Sequence, residues 1–118
     1  MAEWKAMGTE TLLDDGAMTE VHVGGSRILL ARVDGRYFAV QAFCSHMGGS
    51  FARGGLEGYV VCCPRNASQF DVRDGSVVLW LTGMPGVMRK VISEIQQPKA
   101  LRTYPTRVQD GQVWIEVD

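Results

Sequence analysis

Three cysteines and two histidines are the residues of this 118-residue chain with the most distinctive chemistry. Cys44 and His46 form a Cys-x-His triplet, and Cys63 opens a second run, Cys63-Pro64-Arg65-Asn66, with sixteen residues between His46 and Cys63. Thiolate sulfur and neutral imidazole nitrogen are good donors for iron and zinc. The cysteine count is odd, and Cys62 and Cys63 are neighbours whose side chains diverge on an extended strand, so a disulfide framework is not expected. A small group of cysteines beside a histidine then reads as a metal or redox site. Each half is weak alone, because buried cysteine often serves as a small hydrophobe and histidine as a satisfied polar residue. Both halves on neighbouring loops of one small domain make a specific pattern.

The rest of the chain supplies those loops with a scaffold. Alternation marks strands at Val21–Val23, Ile28–Val33, Tyr37–Ala42, Tyr59–Cys62, Val77–Leu81 and Val113–Val117. Asp-Gly pairs at 15–16, 34–35, 74–75 and 110–111 supply turn residues that tolerate positive φ. The expectation is an all-β fold, an antiparallel sandwich or barrel, with a small ligand-binding subdomain over residues 43–72. Residues 44–58 are rich in glycine and small polar side chains and read as a functional loop. Apolar residues at helical spacing over 87–97, stopped by Pro98, predict one short helix packed on the sheet.

With 46% apolar and 21% charged residues, the chain has the composition of one soluble domain, 1–118. Twelve basic against thirteen acidic residues leave no field for non-specific binding to nucleic acid or an anionic membrane. No apolar run reaches the length of a membrane span, and the first residues lack a secretory pattern, so a cytoplasmic location is expected.

On these motifs the sequence resembles the Rieske family of [2Fe–2S] proteins, whose pattern is Cys-x-His, about sixteen residues, then Cys-x-x-His. The likeness continues through Cys63-Pro64-Arg65-Asn66-Ala67-Ser68-Gln69-Phe70-Asp71, similar to the family's CPxHxxxFD, and into the closing segment Leu101-Arg102-Thr103-Tyr104-Pro105. The resemblance implies the Rieske fold and one-electron transport by a ferredoxin between a reductase and an oxygenase or other acceptor, without substrate turnover. It implies that Cys44 and Cys63 bind one iron and His46 the other. Neutral imidazoles in place of two thiolates raise the potential relative to an all-cysteine cluster.

The second family histidine is replaced by Asn66, and the only other histidine, His22, lies in an early strand pattern. An amide is a poor ligand for such an iron, so the resemblance implies a labile or altered cluster with Asn66, water or another residue in the fourth place. Cys62 is the spare thiol, but strand alternation turns it away from Cys63 and makes it a bystander. Ser68 stands where high-potential relatives have a hydroxyl donor to a cluster sulfur, and Phe70 where they have a tyrosine; the pair implies an intermediate or low potential. Gly49 and Arg65 replace the disulfide of the respiratory type, which points to the ferredoxin type. The competing readings are a degenerate Rieske-fold interaction module without a stable cluster, as in some nitrite reductase small subunits, and a site for another metal such as zinc. Arg53 and Arg65 flank the ligand loops, where they could steer an acidic partner. Asp14, Asp15, Asp71 and Asp74 read as turn residues, and Trp4, Trp80 and Trp114 as packing residues.

Overall fold

In the computed structural model the described residues are 3–44, 49–64, 68–79 and 100–117. They form three antiparallel sheets. The central sheet contains β2 (Met18–Val23), β3 (Ser26–Val33), β4 (Arg36–Gln41) and β9 (Thr103–Tyr104), in that order. A second sheet contains β1 (Glu3–Thr9), β11 (Gln112–Val117) and β10 (Thr106–Gln109), with β11 in the middle. The third runs in chain order through β5 (Leu56–Glu57), β6 (Val60–Cys62), β7 (Gln69–Asp71) and β8 (Val77–Leu79). A 3-10 helix covers Phe51–Arg53. Among the described residues no helix is long and apolar enough to cross a membrane.

The central sheet buries both faces. On one side Ile28, Leu30, Tyr37 and Ala39 pack with Val113 and Ile115 of β11; on the other Leu29 and Val40 pack with Phe51, Val61 and Phe70. Strand alternation sends successive residues to opposite faces, so a strand with two covered faces becomes apolar throughout, as in the buried run Ile28–Ala31. The same rule orders β4 and the residues after it, where Phe38, Val40, Ala42 and Cys44 alternate into the cluster shared with the third sheet.

All six strands expected from alternation are present, although β8 is described only to Leu79. The helix expected over 87–97, and Trp80, lie outside the described residues. Asp34 and Gly35 both take positive φ, 52° and 74°, as do Asp110 and Gly111, at 55° and 72°, which gives two-residue turns matching the twist of β3–β4 and β10–β11. The loop expected over 44–58 is more ordered than its composition suggests. Its second half holds the 3-10 helix and β5, because Phe51 is fully buried and Leu56 pairs with Val61. Alternation does not mark β1, β5, β7, β9 and β10: β1 and β10 are mostly exposed or half-buried and carry no apolar row, and the others have two or three residues defined by pairing with their neighbours.

A chain of polar contacts ties the central and third sheets together at the end far from residues 44 and 63. Tyr59 Oη donates to Asp34 Oδ2 at 2.6 Å, the Arg73 guanidinium lies 4.2 Å over the Tyr59 ring, and Arg73 Nη2 donates to Asp71 Oδ2 at 2.7 Å. The side-chain bond from Arg73 holds the Asp71 carboxyl below its ordinary value of 3.8. A folded-state pKa below the unfolded one contributes stability above the unfolded value, and that contribution is lost as pH falls through the folded value. Acid titration of urea midpoints below pH 3.8 is therefore expected to fall more steeply for the parent protein than for Asp71→Asn. Tyr37 closes the second core: its hydroxyl donates to Glu10 O at 2.8 Å and accepts from Leu13 N–H at 3.2 Å. Tyr37→Phe is expected to cost about 1–2 kcal/mol in urea denaturation, since it strands a buried-edge carbonyl and amide.

Candidate metal centre

Two inward rows converge on the cysteines. Phe38, Val40 and Ala42 lead to Cys44, and Tyr59 and Val61 lead to Cys63, each two residues on from the last, so both thiols reach the same interior. Cys44 and Cys63 are each 1% exposed and belong to one buried cluster with Phe51, Val61, Phe70 and Val72. The Phe51 and Phe70 rings meet edge to face, with centroids 5.6 Å apart, in the same cluster as both cysteines.

The loops close alike. Cys44 N–H donates to Gly49 O and Cys63 N–H to Ser68 O, both at 2.8 Å, so each cysteine is bonded to the residue five positions later. Phe43 forms an antiparallel bridge with Ser50, and Phe51 N–H donates to Ala42 O at 3.0 Å, which returns the first loop to the central sheet. Ser68 is fully buried, as the residue two before Phe70 on its inward row should be. His46, Asn66 and Arg65 lie outside the described residues, and no group of three or more metal-ligating side chains occurs among the described ones.

Cys62 stands apart. Val60 and Cys62 are half-buried and face outward with Gln69 and Leu56 into a shallow groove, while Val61 between them is in the core. Burial, with a smaller contribution from Cys63, raises the Cys62 thiol pKa, so this sulfur is held as a thiol and faces away from the shared interior. His22 does not share the buried interior of Cys44 and Cys63: its side chain is exposed and its Nε2 lies 2.9 Å from Glu20 Oε2.

Residues that the motif alone did not single out complete the site. Phe43 follows the parity opposite to Cys44 and leaves 38% of its surface exposed, with the Arg27 guanidinium 5.7 Å from its ring centroid. Gly54 lies against the backbone before Cys63: a Cβ there would overlap the carbonyl oxygen of Cys62 and press on Pro64. Neighbouring Gly55 has open space. Gly54→Ala should thus lower stability by about 1–3 kcal/mol in denaturant unfolding, whereas Gly55→Ala should stay within about 0.5 kcal/mol of the parent.

Comparison with known proteins places this geometry in context. The family described as Rieske [2Fe-2S] domain matches residues 3–105. The anthranilate 1,2-dioxygenase ferredoxin subunit of Burkholderia cepacia is 30% identical over 118 residues, covering 99% of this chain and 94% of its own. The ferredoxin of carbazole 1,9a-dioxygenase from Nocardioides aromaticivorans IC177 superposes with a TM-score of 0.77 at 19% identity, with 95% of each chain covered. A candidate NADH-dependent nitrite reductase small subunit from Mycobacterium tuberculosis gives 0.76 at 21% identity, covering 100% of this chain and 97% of its own. At such identities the two structures speak to the fold alone.

Proposed function

Because the chain belongs to the Rieske [2Fe-2S] domain family, we propose that it is a one-electron carrier of the ferredoxin type, a single unit over residues 1–118. The observation that carries this reading is the pair of buried cysteines at the ends of two inward rows, in loops closed by the same backbone bond. Two thiols in one apolar interior suit the half of a [2Fe–2S] cluster that takes anionic sulfur ligands, and the apolar surround excludes water and competing donors. Cys44 and Cys63 would hold one iron and His46 the other, with Asn66 in the fourth ligand position. The bound cluster would supply one reversible electron. Ser68 is placed by its row to offer a hydroxyl in the same interior, and the all-carbon ring of Phe70 offers none.

The partners are a reductase that donates the electron and an oxygenase or other redox enzyme that accepts it. The Burkholderia relative, which matches almost end to end, is named as a dioxygenase ferredoxin subunit. Asn66 sets the quality of the site: a neutral amide oxygen binds a ferric or ferrous ion more weakly than imidazole, so the outer iron exchanges more readily. The same substitution, with the fold likeness to a candidate nitrite reductase small subunit, supports a second reading, an accessory module that has lost its cluster.

Iron and sulfide analysis with visible absorption and electron paramagnetic resonance separates these readings when the parent protein is set beside Asn66→His. The expected result is a labile cluster in the parent and a firmer one, with a Rieske-type signal, in the variant. Iron in neither protein removes the carrier reading in favour of the accessory module, and zinc in place of iron reassigns the donors to a mononuclear site. Once the cluster is loaded, Ser68→Ala is expected to lower its reduction potential in protein-film voltammetry, because the reduced state loses a donor.

A further inference from the structure

The charges of this near-neutral chain are unevenly placed along the strands. Residues 43–53 and 63–69, which contain both ligand loops, carry Arg53 and Arg65 and no acidic residue. The opposite end gathers acids at its turns: Asp15 accepts from Gly35 N–H, Asp34 holds Tyr59, Asp71 ends β7 and Asp74 lies in the turn after it. Such polarity orients a charged partner during approach more than it adds affinity.

Two adjoining grooves cover the surface beside the loops and share Arg27. One runs past Gly49, Ser50 and Pro64, from both loops, to Arg53; the other holds Phe43 and Arg102. Glu20 is the one acid among the described residues lining them, and Arg27 neutralises it through two bonds, Nε to Oε2 at 3.1 Å and Nη2 to Oε1 at 3.0 Å. That pairing pulls the Glu20 carboxyl below its ordinary range, so it stays ionised and occupied by arginine. Arg53 lines the first groove, and Phe43 is an exposed aromatic in the adjoining one, which it shares with Arg27 and Arg102. Its backbone is fixed by the bridge to Ser50 and by Gln41 Nε2, which donates to Phe43 O at 2.9 Å. Gln41 also ties in the third arginine, since its Oε1 accepts from Arg102 N–H at 2.8 Å. An apolar centre on a pre-ordered frame with a cationic rim has the anatomy of a protein-docking surface.

We propose that this face docks an acidic, apolar-centred surface of the redox partner, with Phe43 as the anchor and Arg27, Arg53 and Arg102 as the rim. The inference rests on the carrier reading for the identity of its occupant. A second basic groove, lined by Arg36, Arg73 and Arg107, is the rival surface. The acidic turns lie beside that groove, with Asp34 next to its Gly35 and Asp71 paired with its Arg73, whereas Glu20 is the one described acid lining the face around Phe43.

The test is fluorescence anisotropy of a fluorescein-labelled Glu-Glu-Leu-Leu-Glu-Glu peptide, with hexaglutamate as the probe lacking an apolar centre. Binding by the parent protein should be lost in roughly 0.5 M salt, which screens exposed charges within a few ångströms. Arg53→Glu should weaken both peptides by about tenfold, and Phe43→Ala should weaken only the leucine-containing one, by at least about threefold. Arg36→Glu should change neither. Binding that is lost in Arg36→Glu and kept in Arg53→Glu overturns the assignment, as does failure of the parent to bind either peptide. Iron content measured on the same preparation tests the carrier reading independently. Protein that holds the peptide at Phe43 and Arg53 when neither the parent nor Asn66→His carries iron keeps the docking face and removes the carrier, while loaded protein that ignores the peptide does the reverse.

Discussion

The geometry of the site depends on one constraint, the two-residue period of an extended chain. A strand presents every second side chain to the same side, so a cysteine that ends a strand inherits the direction of the row behind it. Phe38, Val40 and Ala42 commit Cys44 to the interior between the central and third sheets, and Tyr59 and Val61 commit Cys63 to the same place. The price of slipping either strand by one residue is large, because Phe43 and Cys62 would turn inward while both candidate ligands turned out.

Packing makes that direction rigid. Leu29, Val40, Val61 and Phe70 are 0–1% exposed and lie directly beneath the loops, with the crossed rings of Phe51 and Phe70 as their largest members. Burying such side chains contributes about 1.5–3 kcal/mol each, enough to hold loops rich in glycine that have little order of their own. The backbone does the rest: the matched bonds Cys44 to Gly49 and Cys63 to Ser68 give each loop the same closure, and the tight contact at Gly54 sets the 3-10 segment against the strand that ends at Cys62. At the far end the Asp34–Tyr59–Arg73–Asp71 chain holds the third sheet to the central one. The site is thus suspended between an apolar cluster and a polar clasp.

The parity that directs the thiols inward also directs Phe43 outward, and this links the buried site to the surface. One residue separates a side chain in the core from an aromatic ring in contact with solvent. The arginines of the two adjoining grooves come from different elements, Arg27 from the start of β3, Arg53 from the 3-10 helix and Arg102 from the segment before β9. Folding collects at one end a charge that is scattered along the chain and cancelled in the total.

How much of this was legible in the amino-acid order follows from the range of the forces involved. Alternation and Asp-Gly turns are local, so the β class, the strands β2, β3, β4, β6, β8 and β11 and the outward turn of Cys62 could all be read directly. The spacing of Cys44, His46 and Cys63 was enough to name the family, and the loss of a histidine at position 66 was visible as a departure from it. Tertiary structure alone decided that the central sheet is covered on both faces, that Phe51 and Leu56 order half of an apparently irregular loop, and that β1, β5, β7, β9 and β10 exist at all. It alone brought Arg27 and Arg102 into one groove with Phe43 and Arg53 into the groove adjoining it. These features depend on contacts between residues far apart in the chain, and no local period records which distant strand will supply the partner.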